Sequence, residues 1–186
     1  MTEASIKSII LSRRLPKDEL DSFWLNLPGI LPIGLLLMFF LWLLFDVEIA
    51  LKLLVSLPLL VLMALFSYTI YAKLKERNLK LIATGLNKED NDLLIRLISK
   101  RENWAKQTNF DYFHAFNLPF YFAHYGFTLT LIPIEQGILI NFRNRGSNKG
   151  RAPFMWGIET WKQKKIEAMI EKYLLEEFTQ TLISDI

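Results

Sequence analysis

Two runs of uncharged residues, separated by a few polar ones, decide most of what this chain can become. From Leu25 to Phe45 the sequence LNLPGILPIGLLLMFFLWLLF holds 21 residues without a charge, and from Leu53 to Tyr71 LLVSLPLLVLMALFSYTIY holds another 19. At about 1.5 Å of rise per residue, each run is long enough as a helix to cross a hydrocarbon core of roughly 30 Å. Two strands cannot close a barrel, and an open sheet would leave backbone polar groups bare in lipid, so both runs are predicted helical. The first is too long for the apolar segment of a cleaved signal peptide, starts some two dozen residues into the chain and has no small-residue cleavage site after it. A buried hairpin in a soluble core is the alternative that their length argues against.

Only the residues around Asp46, Glu48 and Lys52 connect the runs, which predicts an antiparallel hairpin. Lys7, Arg13, Arg14 and Lys17 precede it and Lys73, Lys75, Arg77 and Lys80 follow it, which by the positive-inside rule puts both termini in the cytosol. The expected location is the inner or plasma membrane, with two spans. Trp24 and Tyr71 suit one interfacial belt and Trp42 the other. Pro58 removes a backbone donor inside the second span, where it kinks the helix or is merely tolerated. Neither span carries an ionisable residue at depth, which argues against a proton relay, and two helices are too few to enclose a pore without oligomerising. The arm Ser5–Leu15 reads either as an amphipathic helix at the cytosolic headgroups or as a disordered tail.

The remaining residues form the second part of a chain divided between two solvents. The net charge is +3, yet from Ala83 to Ile186 there are 13 Lys or Arg against 12 Asp or Glu. Anion binding must then rest on local clustering of charge. The absence of Cys excludes disulfides, thiolate metal sites and cysteine nucleophiles. The second helix is expected to continue to about Thr84 and stop at Gly85. Asn87 is the predicted N-cap of a new amphipathic helix running to about Gln107, with Glu89, Asp90 and Asp92 in its first turn and Leu93, Leu94, Leu97, Ile98 and Trp104 at helical spacing. Aromatic residues make up half of Phe110 to Phe127 and read as loop and short strand, more simply core than cofactor box. Phe127 to Ile134 alternates as a strand with one buried face, Gly137 to Arg143 as its hairpin partner, and Asn144 to Pro153 as a loop. A last amphipathic helix is predicted from about Thr160 to Thr181.

The expected fold is thus a two-helix transmembrane hairpin followed by a small soluble α+β domain of helix, β-hairpin and C-terminal helix. Its divisions are a cytosolic arm at 1–24, the hairpin at 25–72 with spans at about 25–45 and 53–72, a helical extension at 73–86 and the cytosolic domain at 87–186.

The most informative polar feature lies between Gln136 and Ile158, which holds Arg143, Arg145, Lys149 and Arg151 and no acid. Glycines let backbone amides approach an anion, guanidinium forks match phosphate oxygens, and Asn144 and Asn148 can read a base edge. The expected ligand site is therefore Arg143, Asn144, Arg145, Asn148, Lys149 and Arg151. An ordinary solvated loop has the same composition, and a polybasic face toward anionic lipid is a third reading. No Walker pattern is present. His114 and His124 belong to no metal-ligand pair and read as satisfied or exposed histidines. Ser99, Ser147 and Ser184 lack a nucleophile-elbow context, and Asp90 with Asp92, or Glu176 with Glu177, reads as solvated helix face. No enzyme, metal or cofactor is expected.

In layout, and in Arg143, Asn144, Arg145, Lys149 and Arg151, the chain resembles the small membrane-bound accessory effectors of type III CRISPR systems. That resemblance implies a cytosolic domain that recognises cyclic oligoadenylate, a homo-oligomer in the lipid bilayer, and a change in hairpin packing that serves antiviral defence. A non-enzymatic membrane scaffold docking a protein through the aromatic region or the last helix is the competing expectation.

Overall fold

The computed structural model describes residues 3–17, 23–46, 49–107, 110, 112–119, 126–146 and 158–184. In chain order the elements are α1 (Glu3–Ser12), α2 (Phe23–Asp46), α3 (Ile49–Lys75), β1 (Lys80–Ala83), α4 (Lys88–Arg101), β2 (Ala105–Lys106), β3 (His114–Pro119), β4 (Gly126–Ile134), β5 (Gly137–Gly146) and α5 (Ile158–Ser184). The protein is therefore of α+β type, as its sequence predicts, but the sheet is larger than a hairpin. Five antiparallel strands in the order β1-β5-β4-β3-β2 form it among the described residues.

β4 and β5 are the centre of that sheet, joined by Glu135 and Gln136 with Gln136 at a φ of 64°. Alternation along the strands sends Phe127, Leu129 and Leu131 of β4, with Ile138, Ile140 and Phe142 of β5, to one face. There Leu94, Ile95 and Ile98 of α4 and Ile166 and Ile170 of α5 cover them. Ile132 and Leu139 point to the other face and meet Ile9, Leu15 and Leu79. β4 therefore has two buried faces, not the one that its Thr residues imply. Each fully buried Ile or Leu contributes about 1.5–3 kcal/mol relative to exposure.

α1 supplies the second layer. The basic arm is helical, as one of its two readings has it, but the apolar side containing Ile6, Ile9 and Ile10 is spent on the sheet. Beyond α1, Leu15 N donates to Arg77 O at 2.9 Å and Leu79 N to Arg13 O at 2.8 Å. Arg77 Nε also donates to Leu15 O at 2.8 Å. The residues before α2 are thereby stitched to those after α3.

Two boundaries differ from the sequence reading. α3 ends at Lys75, and the expected helical extension to Thr84 is instead a turn and the edge strand β1. Ile82 enters the core and Lys80 Nζ lies 2.6 Å from Glu167 on α5, so tertiary pairing with β5 overrides helical continuation. Gly85 has the left-handed φ of 73° that suits a helix stop, but here it turns the chain after a strand. α4 begins as read, with Asn87 accepting a hydrogen bond from Asp90 N. It stops at Arg101, not near Gln107, because Ala105 and Lys106 pair with Phe116 and Asn117 at the far edge of the sheet.

α2 and α3 pack against one another. Val55–Lys75 of α3 is long and apolar enough to cross a membrane by length and composition, and Ile30–Phe45 is a shorter apolar stretch of α2. Leu35, Met38 and Trp42 of α2 and Leu57, Leu60 and Val61 of α3 are exposed on the isolated chain. Pro58 lies inside α3.

Candidate functional site

The sequence-predicted anion site begins on β5, and its first residue faces inward. Leu139, Asn141 and Arg143 share the strand face opposite Ile138, Ile140 and Phe142. Arg143 is 2% exposed, with Nε 3.6 Å from Glu76 Oε1, just after the end of α3. The other carboxylate oxygen of Glu76 is 2.7 Å from Lys73 Nζ. Glu76 therefore sits between a cation from the last turn of α3 and a cation from the sheet. Asn141 completes the contact by donating from Nδ2 to Glu76 O and Asn78 O, both at 2.8 Å. A carboxylate this buried persists because both cations compensate its lost hydration.

Asn144 and Arg145 extend β5 beyond the expected loop boundary. Phe127 pairs with Asn144 and Gly126 with Gly146, which leaves Arg145 as the extra residue of a β-bulge. Bulges bend a strand and change the direction of its side chains. Asn148, Lys149 and Arg151 lie outside the described residues, as does His124. Of the six predicted residues, then, Arg143 is brought to the α3 junction and Asn144 and Arg145 follow it on the same strand. Glu76 was not singled out in the sequence. Glu76 could have been noticed as the one acid among Lys73, Lys75, Arg77 and Lys80.

A second polar cluster joins α4 to the sheet. His114 Nε2 is 2.6 Å from Asp92 Oδ1, and Asp92 Oδ2 is 2.7 Å from Arg96 Nε. The His114 ring stacks on Phe116 with centroids 6.1 Å apart. Asp92, read from sequence as a solvated carboxylate, is 7% exposed. Burial pushes the His114 pKa below its ordinary 6.5, against the pull of Asp92 and with help from the charges of Lys106 and Arg96. The neutral tautomer that satisfies Asp92 carries its proton on Nε2. His114 is thus a satisfied core histidine. Among the described residues no three His, Asp or Glu side chains gather as a metal site.

A cleft of about 490 Å³ opens between α1, the start of α4 and the residues Phe110 and Tyr112, lined also by Glu3, Ile6, Lys7, Ile10 and Lys88. Lys88 Nζ lies 3.6 Å above the Tyr112 ring, so this cation already has an aromatic face.

Comparison of the chain with protein-family models, with curated proteins and with solved structures returns no match.

Proposed function

We propose that this is a membrane-anchored effector in which α2 and α3 form a transmembrane hairpin with both termini cytosolic, and in which the α+β domain senses a phosphate-bearing nucleotide. The observation that carries the reading is the position of β5. One strand holds the end of α3 through Asn141 and Arg143 and runs on directly into Asn144 and Arg145, toward Lys149 and Arg151. An anion captured by the 144–151 segment acts on a strand already fastened to a membrane helix. Such a ligand shifts hairpin packing only as far as it binds one arrangement better than another. Oligomerisation is required for a pore or a local disruption of the bilayer, because one hairpin encloses nothing.

The resemblance to type III CRISPR accessory effectors makes cyclic oligoadenylate the first ligand to try and antiviral defence the setting. The test is binding to the detergent-solubilised full chain at low salt, where exposed charges are least screened. Wild-type protein is expected to bind and Arg145→Glu to lose binding. An inert wild type, or an unchanged variant, sinks the nucleotide reading.

The competing scaffold reading draws support from α5, where Trp161 is 61% and Leu175 70% exposed. A stoichiometric protein partner recovered from native membranes without nucleotide dependence favours it over ligand sensing.

A further inference from the structure

We infer that the stitched junction beneath α3 is a binding site for the headgroups of anionic phospholipids. This rests on the transmembrane reading of α2 and α3 and specifies what their cytosolic end touches. The pairing of Arg13 and Leu15 with Leu79 and Arg77 gathers two basic stretches that are some 60 residues apart in the chain. Arg13, Arg14 and Lys17 come from one side and Lys73, Lys75 and Arg77 from the other. Neither stretch is a polybasic motif alone; folding makes them one.

The cations surround the end of α3 itself. Arg14 Nη2 donates to Leu74 O at 3.4 Å, placing a guanidinium at the carbonyl end of the last turn. The Lys75 ammonium folds back over the Tyr71 ring, 4.5 Å from its centroid. Tyr71 is the aromatic that ends the apolar run, so this pair marks the level where hydrocarbon gives way to headgroups. Arg13, Arg14, Lys17 and Lys75 are exposed. The acid within the cluster, Glu76, is turned inward to Arg143 and Lys73. Asp18, Glu19 and Asp21 follow in sequence and lie outside the described residues. Clusters of basic residues immediately at the cytosolic end of a membrane helix attract anionic lipid headgroups. Phosphodiester oxygens at that depth meet guanidinium forks and ammonium groups held by backbone pairing.

The test reconstitutes the full chain into phosphatidylcholine vesicles containing a minor share of phosphatidylglycerol, re-extracts it in mild detergent and measures the co-purifying lipids by mass spectrometry. Wild-type protein is expected to carry phosphatidylglycerol several-fold above its share of the bilayer. The combined variant Arg13→Asn, Lys17→Gln, Lys75→Gln is expected to return the ratio to that of the bulk. Asparagine is chosen at 13 because Arg13 has a φ of 49°, which Asn tolerates better than most residues. Arg145→Glu is expected to leave the enrichment unchanged. Absence of enrichment in the wild type, or its persistence in the combined variant, overturns the inference. Displacement of the lipid by inorganic phosphate at matched ionic strength also overturns it, in favour of a free-anion site. A chain that alkaline carbonate strips from the vesicles removes the membrane reading itself; one that stays embedded with no lipid preference overturns the headgroup site alone.

Discussion

Arg143 and Glu76 form the contact whose removal separates a structural role from a ligand-binding one. Arg143→Met removes one of the two cations that flank the buried Glu76, and breaking one side of such a pair costs about 3–5 kcal/mol. Glu76→Gln with Arg143→Met removes the stranded charge and is expected to recover much of that loss. Urea unfolding of the detergent-solubilised protein, followed by Trp fluorescence, measures both. His114 belongs to the same scale. Its folded pKa lies below the ordinary 6.5, so the unfolded chain binds the proton more readily. The favourable contribution of the neutral buried ring is complete above pH 6.5 and is lost as pH falls through that value toward the folded pKa. His114→Gln is expected to flatten this part of the stability–pH profile, whereas substitutions outside the cluster leave its slope intact. The Asn87 cap was legible from sequence because its partner is local, Asp90. Arg143 reads in the sequence as a ligand-binding cation and not as a buried one, because Glu76 lies 67 residues away in the sequence.

Elements were readable where their signal was periodic and long. The existence of helices at about 25–45, 53–71, 87–107 and 160–181, and of the β4–β5 turn, follows from uncharged runs, apolar spacing and a polar turn, although the third helix ends at Arg101. β1 and β2 did not announce themselves, since four and two residues are too few for a period, and their strand character comes from the neighbours they pair with. Gly137 tests the β1 pairing. A Cβ placed there would lie 2.6 Å from Ile82 O and 2.7 Å from Leu81 Cδ1. The leucine tip can move, but the backbone oxygen is fixed by the strand. Gly137→Ala is therefore expected to destabilise the domain by about 1–3 kcal/mol, as overpacking does. Faster amide exchange at 80–83 than at 138–142 would locate the damage in the edge strand. Uniform exchange across both would show instead that β1 holds independently of this approach.

At the scale of the whole molecule, α1 and α5 are separated in the chain by α2 and α3 yet belong to one α+β domain, on opposite faces of the same sheet. That arrangement demands that the chain leave the domain at Lys17 and return to it at Glu76 on one side. The backbone pairing of 13–15 with 77–79 brings those two points together. If α2 and α3 cross a bilayer as proposed, an even number of crossings is the topology that avoids threading the domain through it. The chain has no native Cys, so single thiols can report sidedness without background. Ser12→Cys, exposed at the end of α1, is expected to react with a membrane-impermeant maleimide only from the cytosolic side. Glu48→Cys, between α2 and α3, is expected to react only from the opposite side. Labelling of both from one side would mean that the pair does not cross. In that case its exposed apolar surface would have to be covered by a second copy or by another protein, since surface of that extent does not stay in water.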